Sequence, residues 1–183
     1  MIKDNLKFRH WYRDSRIAIE QRYHSHADLF CDLLAATSPR KHVISNFRLA
    51  HRILEEVVTT GTYDHTGMMP VHIGNVDRAI AGEPLSGNKV SRFAMNLKGD
   101  LKPVTLDVWM LRYLREARPS LTDKQYLEYE HKCQRNARVY GLEPAEYQAV
   151  AWTAIRMRHG YKPVSFESVM NSNQRLMYFV EIE

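Results

Sequence analysis

The feature that most constrains this chain is its punctuation. Glycine and proline are few, eight and seven among 183 residues, and between them apolar residues recur every three or four positions, the period of an α-helix. Ser38-Pro39 reads as an N-cap followed by a proline at the first helical position. Behind it Val43, Ile44, Phe47, Ala50, Leu54, Val57 and Val58 form one stripe. Val90, Phe93, Ala94 and Leu97 form a second, stopped by Gly99. Thr122 and Gln125 have the spacing of a capping box, opening a helix through Tyr126, Tyr129, Cys133, Ala137 and Tyr140 to Gly141. Pro144 opens another, through Tyr147, Val150, Ala151, Ala154 and Ile155 to Gly160. Helices are also predicted over 28–34 and 73–80, and only 102–106 and 176–182 have an extended pattern. The expectation is an all-α chain of about eight helices, one domain over 1–183 arranged as two small lobes. Thr59–Pro70 is its longest interior loop, and 164–183 carries no functional signal.

Composition narrows the function. At 44% hydrophobic and 26% charged residues, the chain is too apolar for a disordered protein. No apolar run approaches the ~20 residues of a membrane helix. The opening MIKDNLKFRHWYRDSR has neither the apolar core nor the cleavage site of a secretory leader. Cys31 and Cys133 stand alone, which excludes a disulfide framework and argues against a thiolate metal site. An intracellular monomer is therefore expected. His24, His26, His65 and His72 invite a metal reading, but no acidic partner completes a set, so neither metal nor cofactor is expected. The formal charge of +5 is compatible with a polyanionic partner.

The most informative window is Gly82 to Leu114. A short helix ends at Gly82, a turn follows over Pro84-Leu85-Ser86-Gly87, and a second helix begins near Asn88, a helix–hairpin–helix outline. Unpaired N–H groups at such a helix start, with glycine allowing close approach, can hold a phosphate. Further on, Asp107 stands at the N-terminus of a helix predicted over Val108–Ala117, where a carboxylate is favoured as cap and by the helix dipole.

This window resembles the helix–hairpin–helix DNA glycosylases related to endonuclease III, whose pattern is LPGVGxKTA followed by a segment like VDTHVxRV. Pro84, Gly87 and Lys89 take the hairpin places, and Leu106-Asp107-Val108-Trp109-Met110-Leu111-Arg112 is similar to the aspartate segment. Lys89 and Asp107 are eighteen positions apart, which is also the family's interval between its catalytic lysine and aspartate. Leu33–Ser38 is similar to the family's LLSAQAT helix end, and Tyr147–Val150 to its closing helix, so the resemblance spans roughly 28–158. Three departures touch the substrate more than the fold: Leu85 replaces the first hairpin glycine, Thr37 replaces a glutamine, and there is no four-cysteine cluster. The style is also similar to phage-encoded relatives of the glycosylases.

The resemblance implies cleavage of the N-glycosidic bond of a base flipped out of double-stranded DNA, as in repair or DNA modification. Asp107 would stabilise positive charge on the sugar, and Lys89 would attack C1′ to give a Schiff base and strand scission. Gly87, Ser86 and Asn88 would dock phosphate, with Arg40, Lys41, Arg92 and Arg112 as further phosphate contacts. Thr37, Asn96 and Gln148 would line the base pocket. Trp109 and Trp152 are expected in the core rather than as stacking platforms. Two alternatives stay open on the same scaffold, a phage-type base-hypermodification enzyme and a non-catalytic DNA-binding or inhibitor protein.

Overall fold

The computed structural model describes residues 1–172. Its eight α-helices are α1 Trp11–Tyr23, α2 Ala27–Thr37, α3 Val43–Thr60, α4 Pro70–Ile80, α5 Asn88–Leu97, α6 Val108–Tyr113, α7 Asp123–Val139 and α8 Pro144–Arg158, with 3-10 turns at Lys3–Phe8 and His24–His26. Residues 166–172 are helical as well, and no strand occurs among the described residues. The expected extended segment 102–106 is irregular backbone, and 176–182 lies outside the described residues.

Local chemistry sets the clearest boundaries. At the start of α7 the Gln125 N–H donates to Thr122 Oγ1 at 3.4 Å and the Thr122 N–H to Gln125 Oε1 at 3.0 Å, the reciprocal capping box. Pro144 opens α8, where the Glu143 N–H donates to Glu146 at 3.1 Å.

Three boundaries differ from the sequence reading. Ser38 does not start α3; it ends α2, its hydroxyl donating to Ala35 O at 2.8 Å, and α3 begins after His42. A serine hydroxyl satisfies a carbonyl at the end of a helix as readily as an amide at the start of one. The helix after Asp107 stops at Tyr113 instead of Ala117. Arg115 turns left-handed at φ 59°, and the Glu116 N–H closes back on Leu111 O at 2.8 Å, a Schellman-type end made without glycine. Helix α1 has no counterpart in the sequence reading, because its buried stripe of Tyr12, Ser15, Ile19 and Tyr23 contains a serine and lies among charges.

The described chain divides into two compact units, Met1–Arg13 with Ser86–Pro163, and Asp14–Leu85 with residues 164–172. The boundary runs through the hairpin itself, between Leu85 and Ser86. In the first unit Val104 and Leu106, from the segment ahead of α6, form one buried cluster with Met110, Tyr126, Cys133, Tyr147 and Val150 of α6, α7 and α8. Each large apolar side chain so buried is worth about 1.5–3 kcal/mol of transfer free energy. In the second unit α2 packs on α3 and α4. Phe30 meets Phe47 edge-on at 5.7 Å between ring centroids, over buried Leu33, Leu34 and Ile53.

The loop expected over Thr59–Pro70 is shorter, since α3 runs through Thr60. It is held by Arg52 donating to Asp64 O at 3.1 Å and Thr66 O at 2.5 Å, and by Tyr63 OH donating to Asp77 at 2.6 Å. No helix of the described residues is long and apolar enough to cross a membrane.

Candidate functional site

The first unit places Lys89 of α5 and Asp107 at the start of α6 within each other's electrostatic reach. Asp107 is held in extended backbone, φ −100° and ψ −179°. Its Oδ1 accepts from the Trp109 N–H at 3.0 Å and the Met110 N–H at 2.9 Å, and its Oδ2 from Trp152 Nε1 at 2.8 Å. Two of these donors are orphan amides of the α6 start, which any N-cap would take; the indole from α8 is the addition. Buried Met110 and Leu111 anchor α6 in the core, and Leu106 donates its N–H to Tyr126 OH at 2.9 Å, so the carboxylate is fixed from both sides.

Lys89 is the second residue of α5, behind Gly87 at φ 90°. No atom lies within 4 Å of where a Cβ on Gly87 would stand, so the helix start is open. The side chain of Lys89 turns along its own helix, with Nζ 5.4 Å from the centroid of Phe93 one turn on. The residue is half-buried, but its ammonium is withdrawn from water, which lowers its pKa to about 8 against an opposing pull from Asp107. At neutral pH about one such amine in ten is unprotonated, against about one in three thousand for an ordinary lysine.

Aromatic rings wall this pair. Trp11 lies 6.1 Å from Trp152 and 6.5 Å from Phe93 between centroids, and Tyr12 lies 6.2 Å from Phe93. Trp11, Phe93, Trp109 and Trp152 are all half-buried, which leaves aromatic surface open to a ligand. Tyr12 is buried and donates to Gln148 Oε1 at 2.9 Å, so Gln148 supports the wall from behind. Burial raises the Tyr12 pKa far above its usual value, and it stays a phenol.

The other predicted site residues are placed differently. Asn96 is occupied within its own loop: Nδ2 donates to Asp100 O and Pro103 O, both at 2.9 Å, and Oδ1 accepts from Thr105 at 2.8 Å. It orders the segment leading to Asp107 and does not line a pocket. Thr37 belongs to the second unit, fully buried with Oγ1 2.7 Å from both Leu33 O and Asn46 Oδ1. Arg92, expected on phosphate, is taken by Glu130 through Nε and Nη2 at 2.9–3.0 Å and lies over Tyr126. Asn88 bridges Arg92 at 2.8 Å and Asp123 at 2.6 Å.

Arg112 is exposed, its guanidinium 4.4 Å from the Trp109 centroid. Ser86 is exposed on the first unit, and Arg40 and Lys41 lie on the second, Lys41 donating to Gly67 O at 2.8 Å. His72 is buried, accepting from the Met69 N–H at 3.1 Å and lying 2.9 Å from Pro39 O, so it secures the α4 start. No group of three or more His, Cys, Asp or Glu among the described residues could hold a metal ion.

Sequence reasoning missed Trp11, Tyr12, Phe93 and Arg156 as site residues. Two had a signal: Phe93 follows Lys89 by four residues, and Arg156 follows Trp152 by four, so each pair shares a helix face. Trp11 and Tyr12 had none, because only the fold brings the N-terminus to α5 and α8.

Fold and site together define an all-helical protein in which a desolvated amine lies within the field of a firmly held carboxylate, among aromatic rings. The chain belongs to a family of unknown function (DUF7178), whose model matches residues 3–159. No curated protein and no solved structure matches it.

Proposed function

We propose that the protein is a DNA N-glycosylase with AP-lyase activity, acting on a base extruded from the duplex. The observation that carries the reading is Lys89, an amine brought to a pKa of about 8 beside Asp107 within a half-open aromatic wall. That is the equipment of imine-forming chemistry at a sugar carbon. The extruded base stacks on the open aromatic surface, and the unprotonated amine of Lys89 attacks C1′. A C1′–N bond to Lys89 forms as the glycosidic bond breaks, and the base departs with its bonding electron pair and a proton. The Asp107 carboxylate offsets positive charge developing on the sugar, takes the proton that Lys89 loses and passes it to the departing base. Ring opening gives the imine, and loss of a C2′ proton then expels the 3′ phosphate.

A second reading, a DNA-binding protein without chemistry, draws on the three N–H donors already on Asp107, which also satisfy a purely structural cap. Borohydride trapping separates the two. Labelled duplexes carrying an abasic site, oxidised bases or hydroxymethylated pyrimidines are incubated with wild type, Lys89→Ala and Asp107→Asn. A trapped adduct that requires Lys89 and weakens in Asp107→Asn is expected. No adduct and no base release on any duplex, with DNA binding retained, leaves the binding protein as the reading.

A further inference from the structure

One charge near this site is held by ring faces, with no hydrogen bond to its buried Nε among the described residues. Arg156 of α8 is 8% exposed, and among the described residues its Nε is buried without a hydrogen-bond partner. Rings surround the guanidinium: its centre lies 4.3 Å from the Trp152 centroid, 5.2 Å from Tyr161 and 6.0 Å from Trp109. The remaining buried orphans are the hydroxyls of Ser15 and Thr153 and one ring nitrogen of His10. An unpaired buried hydroxyl costs a fold far less than an unpaired buried cation, which is among the costlier defects it can carry. The carboxylate whose field reaches Arg156 is Asp107, and that group already accepts from three N–H donors. Lys89 draws on the same carboxylate. With the lysine protonated, the two water-depleted cations that the field of Asp107 reaches outnumber it by one charge, while Arg112 over the same Trp109 ring is exposed.

We propose that Arg156 anchors a subsite for a phosphate group, filled by the phosphodiester that adjoins the target nucleotide. A phosphodiester carries the one negative charge that balances the surplus, and it presents the paired oxygens a guanidinium fork engages. Flat ring faces hold the fork in orientation without offering a competing acceptor. The assignment to DNA rests on the glycosylase reading; the anion subsite itself does not.

The test measures stability and binding together, with Arg156→Met and Arg156→Lys against wild type. The DNA probe is a duplex bearing a reduced abasic site, which cannot form an imine, and its affinity is followed across a range of KCl concentrations. The second probe is inorganic phosphate, read as a shift of the thermal midpoint. An arginine kept for a ligand is a burden on the free protein, so Arg156→Met melts at or above wild type. It binds the duplex about tenfold or more weakly, and the slope of log affinity against log salt falls by about 0.9, one phosphate's worth. Arg156→Lys keeps the slope but recovers only part of the affinity. If Arg156→Met melts lower and keeps the wild-type slope, the residue is a structural stack and the proposal is overturned. If wild type ignores the duplex but inorganic phosphate raises its midpoint and not that of Arg156→Met, the subsite stands with a free phosphate as its ligand, and the DNA reading falls. If neither probe distinguishes the variants, the subsite does not exist.

Discussion

Replacing Lys89 by methionine should stabilise the protein at neutral pH and cease to do so in alkali. The side chain is desolvated on the α5 face, and its pKa falls from the ordinary 10.5 to about 8 in the folded protein. A fall of that size corresponds to about 3 kcal/mol of preference for the neutral form, at about 1.36 kcal/mol per tenfold. Below pH 8 the lysine is protonated in both folded and unfolded chains, and the folded chain bears the whole penalty of a desolvated ammonium. Between pH 8 and 10.5 the folded chain has released the proton while the unfolded chain still holds it, so wild-type stability rises with pH through this window. Above pH 10.5 both forms are neutral and the penalty is gone.

Methionine keeps the length and apolar character of the side chain without the charge. Its advantage over wild type should therefore be about 3 kcal/mol at pH 7 and under about 1 kcal/mol at pH 10. Urea denaturation of both proteins at the two pH values measures this. The difference between the pH values is diagnostic, because packing changes introduced by the methionine are common to both. An advantage that does not change between pH 7 and pH 10 would refute the desolvated amine, and with it the reason for assigning Lys89 a nucleophilic role.

Three further outcomes follow from the same geometry. Glu130→Gln should cost about 3–5 kcal/mol in chemical denaturation, because it leaves the half-buried Arg92 charge without its carboxylate; a loss below 1 kcal/mol would contradict that pairing. Thr122→Ala should remove one side of the α7 capping box and cost about 1 kcal/mol, while Thr122→Ser should be close to neutral in the same assay. Gly87→Ala meets no atom within 4 Å but must hold φ near 90°, so it should lose about 1–2 kcal/mol by backbone strain alone; a neutral result would mean the turn ahead of α5 relaxes.

What the sequence disclosed follows the range of the interactions involved. The box at Thr122–Gln125, the proline opening α8 and the Asp107 cap are each made within four residues, and each was legible. Lys89 and Asp107 were singled out by the resemblance, whose interval they match, and nothing local showed that the lysine is desolvated, since the rings near it come from positions 11, 93 and 152. Arg92 was assigned to phosphate as a cation near the hairpin, and Asn96 to the base pocket as a polar residue on an apolar helix; each looks available until its partner is known. Their partners are Glu130, thirty-eight residues away, and the loop carbonyls of Asp100 and Pro103, whose folding back no periodicity announces. Helix α1 escaped for a related reason, since Ser15 is fully buried in the middle of its inward stripe.

The charges of the first unit divide into two kinds, and the division argues for where function sits. Arg92 is a half-buried cation with a bidentate carboxylate, an acceptor on Asn88 and a ring face, so its charge is fully used in holding α5 to α7. Lys89 and Arg156 are cations from which burial has removed water, both drawing on the single carboxylate of Asp107. Burial makes protonation harder for each of them, whereas Arg92, with its own carboxylate, holds its proton more tightly than usual. A fold selected for stability alone has no use for the second kind, since an apolar side chain of similar volume would serve each position at less cost. Two such cations reaching one aspartate among half-open rings are best explained by an anionic ligand that completes the set. The methionine substitutions at 89 and 156 share that logic, and each should make the protein more stable and less able to act.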